Sequence, residues 1–250
     1  MIRPFILGSL AALALALPAQ AFDIEAMSEA ERATFRAEIR AYLLENPEVL
    51  MEAIAVLEER QAEDQIAVDR ERVMLNADLL FDDPTSGEGG NPDGDVTLVE
   101  FMDYRCGFCR RAHPEVQALV EGDGNIRYIV KEFPILGEES VLATRFALAV
   151  RKVAGDRAYK DVHDRLITVR GTLNEETFAR IGDELGLDTA AILVEMQSPD
   201  IDRIIRDNQA LAQRLEISGT PSFVFQTDLV RGYVPLSSME EIVAAIRDGA

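Results

Sequence analysis

The chain contains two cysteines, and they stand one helical turn apart as Cys106-Gly107-Phe108-Cys109. An apolar run from Val96 to Met102 precedes them and a helical pattern follows, so the pair marks a strand-to-helix junction. At the mouth of a helix, unpaired backbone N–H groups and the macrodipole favour negative charge. A cysteine there loses its proton more readily, and the thiolate is the form that attacks a disulfide. The second cysteine is placed to close on the first. A ring this small removes little chain entropy, so it makes a poor staple. With no further cysteine, neither a disulfide framework nor a four-cysteine zinc site is possible. A redox-active pair is preferred over an inert local bridge.

The compartment fits that reading. Arg3, an apolar stretch from Phe5 to Leu17, then Pro18 and Ala19-Gln20-Ala21 form a signal-peptide pattern with cleavage expected after Ala21. The stretch is too short to span a bilayer, the alternative being a retained N-terminal anchor. The expectation is an exported, periplasmic protein. A net charge of −20 argues against nucleic acid and anionic membrane surfaces as partners, and describes a solvated acidic exterior.

Three regions follow from the patterning: the signal peptide (1–21), an N-terminal helical segment (22–77) and a larger domain (78–250). In the helical segment, Ser28 to Glu31 is a capping box ahead of Phe35, Ile39, Tyr42 and Leu43. Asn46-Pro47 restarts the helix, with Asn as cap and Pro in its first position. Val49, Leu50, Ile54 and Leu57 then share one side. The segment is too sparsely apolar to hold its own core, so its stripe is expected to pair with other copies of the chain, in preference to docking within it. Leu79 to Phe81 reads as a short edge strand, and residues 82–95 as a turn-rich linker. Val96 to Met102 and Ile126 to Lys131, joined through a helix, predict a right-handed parallel βαβ unit. Helices fill about 138–216. A strand pair, Ser222 to Gln226 and Leu229 to Tyr233, and a last helix close an α/β domain with a helical insertion.

Glu100, six residues ahead of Cys106, together with Cys-Gly-Phe-Cys, the helical insertion and Ser218-Gly219-Thr220-Pro221 before a strand, resembles the DsbA-like thioredoxin-fold oxidoreductases. The helical segment resembles the suppressor-of-copper-sensitivity (ScsC-like) members and, more loosely, disulfide isomerases. The resemblance implies a thioredoxin fold and thiol–disulfide exchange on protein substrates that carry cysteines. It implies Cys106 as nucleophile and Cys109 as resolving thiol, with Gly107 and Phe108 between them. Pro221 is expected in the cis form facing the pair, leaving the Thr220 backbone to meet an extended substrate. Glu100 would be a buried acid beneath the cysteines, exchanging a proton with the resolving thiol; strand alternation also permits it to face solvent. A membrane redox partner and a homo-oligomer are further expectations. No cofactor beyond the Cys106–Cys109 couple and no metal are expected.

Phe108 stands where the strongly oxidising members carry a histidine, and Thr220 before Pro221 is an isomerase-like feature. Both lean the reading toward isomerase or reductase, with primary oxidase or copper-binding thiol protein as alternatives. Arg105, Arg110 and Arg111 offer positive charge near the sulfurs, and Lys131 is a candidate partner for Glu100. His113 reads as a surface residue of a proline-kinked helix; the alternative places it with the cysteines in a soft-metal site. His163 is assigned nothing, and Phe101, Phe133 and Phe223 are expected in the core.

Overall fold

A computed structural model describes residues 24–249. The expected signal peptide, Met1 to Ala21, lies outside the described residues. The chain divides into two compact units at Glu59/Arg60. In the first, α1 (Glu29–Glu45) begins at Ser28, whose hydroxyl accepts from Glu31 N–H while the Glu31 carboxylate returns to Ser28, closing the expected capping box. None of its side chains is buried. Helix α2 (Glu48–Leu75) starts in this unit and runs into the second. Asn46 ends α1, its N–H and side-chain amide both donating to Tyr42 O, rather than capping α2 with its side chain as the sequence suggested.

The second unit is built on a five-stranded sheet in the order β1-β3-β2-β4-β5. Strand β2 (Val96–Met102) lies at its centre, parallel to β3 (Ile126–Glu132) and antiparallel to β4 (Ser222–Phe225). The predicted βαβ unit is present, with α4 (Gly107–Asp123) as its crossover. Strand β5 (Asp228–Arg231) pairs with β4 at one edge. There Arg231 holds the buried Asp69 of α2 through two hydrogen bonds, at 2.6 and 2.9 Å.

Two local expectations are corrected. Leu79 to Phe81, expected as an edge strand, belong to a short helix, α3 (Ala77–Phe81). The turn-rich stretch contains strand β1 (Gly87–Gly90), antiparallel to β3. Two of its glycines are required by close approach: a Cβ on Gly87 would strike the Tyr159 ring at 2.1 Å, and one on Gly90, where φ is +68°, would strike Ile126 O at 2.2 Å.

Residues 138–214 form the helical insertion: α5 (Glu138–Thr168), kinked where Gly155 takes φ 85°, then α6 (Glu175–Glu184), α7 (Thr189–Glu195) and α8 (Pro199–Arg214). Helix α9 (Leu236–Asp248) closes the chain. The sheet is covered on both faces. Val96 and Leu98 pack under α4 and α9, whereas Val99 and Phe101 pack against Val73, Leu80 and Leu211 on the other side. Phe101, Phe133 and Phe223 are buried as expected. Period-two alternation therefore divides the apolar residues of β2 between the two faces of the sheet.

Candidate active site

Cys106 is the N-cap of α4, and its Sγ accepts the Cys109 N–H at 3.3 Å. The Cys106 N–H is fixed by Asp103 O at 3.0 Å. Asp103 was missed at the sequence level, and it shapes this approach. Its carboxylate accepts from Arg105 N–H at 2.7 Å, and from Ile135 and Leu136 N–H at 2.8 and 3.0 Å, tying the end of β2 to the loop after β3. An Asp two residues ahead of a backbone donor at a strand end was its available signal.

The partner loop arrives through β4. Ser222 pairs with Phe101, which sets Pro221 beside the C-terminal end of β2. The Thr220–Pro221 bond is cis, and the Cys106 thiol donates to Thr220 O at 3.1 Å. Both cysteines are reduced. Cys109 is fully buried and Cys106 is 5% exposed, whereas Phe108 projects into solvent between them.

Electrostatics separates the two thiols. Cys106 is held down to about 6 from 9.0, first by a hydrogen bond from the Cys109 side chain, against the cost of desolvation. The Thr220 side chain and the Cys109 and Phe108 N–H groups add to it. Burial drives Cys109 far upward, reinforced by its hydrogen bond to Cys106 and by the charge of Glu100. The first sulfur is thus the one that ionises more readily, and the second is the one that keeps its proton.

Glu100 lies between Leu98 and Met102 on the face of β2 that α4 covers, and it is buried. Desolvation raises its carboxyl to about 7, opposed by a hydrogen bond from Tyr128 Oη at 2.5 Å and by His113. Tyr128 was also missed. It lies two residues before Val130, the residue that pairs with Glu100, and so shares that face of β3. Lys131 is not the partner of Glu100. The register pairs it with Phe101, on the opposite face, where its ammonium meets Asp83 at 2.7 Å and Leu79 O at 2.6 Å.

The three arginines also bind elsewhere. Arg105 reaches Gly171 O and Glu139, Arg110 reaches Ile167 O and Val169 O, and Arg111 lies over the Tyr233 ring. His113 is neither a surface residue nor a companion of the sulfurs. It is nearly buried, its ring 5.3 Å from that of His163 and its Nε2 3.3 Å from Asp164.

Comparison with known proteins matches residues 97–246 to the DSBA-like thioredoxin domain and residues 31–63 to the copper resistance protein ScsC N-terminal domain. Among solved structures, a thioredoxin-like oxidoreductase from Silicibacter pomeroyi is 45% identical with a TM-score of 0.65, covering 69% of this chain and 98% of that one. A linker-deletion mutant of Proteus mirabilis ScsC is 27% identical with a TM-score of 0.67, covering 90% and 99%. A periplasmic thioredoxin-like protein from Salmonella enterica serovar Typhimurium is 27% identical with a TM-score of 0.60, covering 68% and 95%. Among curated relatives, the chain spans only 20% of Na(+)/H(+) antiporter NhaA 3 from Salinispora tropica, at 29% identity over 54% of its own length. Among the described residues, no helix is long and apolar enough to cross a membrane.

Proposed function

This chain belongs to the DSBA-like thioredoxin domain family, and from that premise we propose that it is a periplasmic thiol–disulfide oxidoreductase that acts on protein disulfides as an isomerase or reductase. The observation that carries the reading is Cys106 Sγ at the mouth of α4, ionised near neutral pH and facing Thr220. The export signal read from residues 1–21 and the Salmonella relative described as periplasmic support the location.

In the reductive direction the Cys106 thiolate attacks one sulfur of a substrate disulfide. A Cys106–substrate disulfide forms, and the other substrate sulfur leaves as a thiolate. Cys109 then gives its proton to Glu100 and attacks Cys106 Sγ. The Cys106–Cys109 disulfide forms and the substrate departs with both sulfurs reduced. For isomerisation, the freed substrate thiolate attacks another substrate disulfide, and the thiolate this expels attacks the substrate sulfur of the mixed disulfide, breaking the Cys106–substrate bond and releasing Cys106 as its thiolate. Thr220, on the loop against Cys106, is the position where an extended substrate meets the pair. Residues 24–59 supply the second part of the proposal: Ile39, Tyr42, Leu50, Ile54 and Leu57 are exposed apolar side chains on α1 and α2, and they join copies of the chain.

A primary oxidase is the second reading. It is favoured by the lowered Cys106 pKa, because a stabilised thiolate makes the disulfide form a stronger oxidant. Insulin reduction and refolding of scrambled ribonuclease, with wild type and Cys106→Ala, test the proposal. Both activities are expected and both are lost in the variant; activity that survives Cys106→Ala refutes it. Oxidation of reduced substrate without isomerisation selects the oxidase.

A further inference from the structure

Among α4, α5, β1 and β3 lies a cavity of about 310 Å³. Glu88, Glu121 and Asp164 bring negative charge to its wall and Lys160 positive charge, and both histidines of the chain line it. His113, His163 and Asp164 each present a ligating atom there, all within 4.8 Å of one another. We propose that these three side chains form a site for one divalent transition-metal ion, with its remaining coordination position open to the cavity.

Three observations carry the assignment. The first is distance. Tetrahedral zinc with ligand bonds of about 2.0–2.2 Å places its ligand atoms about 3.3–3.6 Å apart. His113 Nε2 and Asp164 Oδ1 already stand at 3.3 Å, so one edge of the polyhedron is formed. The second is the tautomer of His163. Tyr104 donates its only proton to Glu132 at 2.7 Å, so its oxygen, 3.1 Å from His163 Nδ1, accepts the proton of that nitrogen. His163 Nε2 is left with a free lone pair, and the imidazole is oriented through Tyr104 by Glu132, as ligating histidines commonly are by a carboxylate. The third is the Asp164 carboxylate. Gln117 and Lys160 hold it at 3.0 and 2.8 Å, fixing its position while Lys160 supplies the charge that a cation would replace. Two imidazoles and a carboxylate suit Zn²⁺ or Cu²⁺ rather than Cu⁺, which prefers thiolates, or Mg²⁺, which prefers oxygen.

The probe is Zn²⁺ alone, titrated calorimetrically into the full chain in its Cys106–Cys109 disulfide form, where no thiol competes. The expected result is one equivalent bound. His113→Gln and Asp164→Asn each weaken it at least about tenfold, and Lys160→Ala, at an exposed side chain, tightens it. Absence of binding by both wild type and Lys160→Ala overturns the site, as does binding that is undiminished in His113→Gln and Asp164→Asn. Because the thiols are oxidised throughout, either outcome is independent of the proposed exchange activity.

Discussion

Tyr128 donates its phenolic proton to Glu100 Oε2 at 2.5 Å, placing a hydroxyl rather than an ammonium beside the acid beneath the cysteine pair. This bond works against the desolvation that lifts Glu100 to about 7. A phenol steadies the carboxylate without adding charge, so the acid stays poised to accept a proton near neutrality.

Tyr128→Phe removes that donor while keeping the ring. Loss of a hydrogen bond to a buried carboxylate costs about 1–3 kcal/mol, so the Glu100 pKa rises by about one to two units. The rate at which Cys109 resolves a mixed disulfide, followed against pH, is expected to shift its midpoint upward from about 7. An unchanged profile removes Tyr128 from the account.

Glu100→Gln tests the same group through stability. The folded-state pKa of about 7 lies above the ordinary 4.5, so burial of the neutral acid is fully favourable below 4.5 and is lost as pH rises through 7. The variant is expected to match wild type closely in acid and to exceed it above neutrality, by about 3 kcal/mol. Denaturant unfolding at the two pH values measures the difference.

Buried Lys131 pairs with partly exposed Asp83 on the other face of the sheet, at 2.7 Å. Asp83→Asn leaves the ammonium without its counter-charge and is expected to cost about 3–5 kcal/mol. Adding Lys131→Met removes the stranded charge and is expected to restore much of that loss. Urea midpoints of wild type, the single variant and the double variant decide it.

The proposed assembly through α1 and α2 predicts that Leu50→Glu with Ile54→Glu lowers the solution mass to that of one chain. Sedimentation equilibrium measures the mass, and circular dichroism checks that the fold is retained. A wild-type protein already monomeric at micromolar concentration contradicts that part of the proposal.

The sequence made the central strand and its helix legible because both carry strong local signals: seven apolar-rich residues ending at Met102, then a helical pattern that opens at the cysteines. The Ser28 cap was equally readable, since it is satisfied within three residues. Strand β1 was not. Its residues, Gly87-Glu88-Gly89-Gly90, have no apolar alternation, and it is a strand because β3 supplies its partners. Leu79 to Phe81 erred the other way, a short apolar run being compatible with strand or helix until Leu80 is seen to pack on the sheet. At the site, the cysteines announced themselves. Tyr128, Asp103 and the His113–His163–Asp164 group are brought together by register and tertiary packing, with no motif at fixed spacing to reveal them. Lys131 failed as a partner for Glu100 because alternation placed it one residue out of phase.

The account depends on Cys106 being ionised near neutral pH. Its alkylation by iodoacetamide in the reduced wild-type protein, followed by mass spectrometry across pH, measures this directly. A rate that rises with a midpoint of about 6 is predicted; a midpoint near 9.0, the ordinary value for a cysteine thiol, would contradict it.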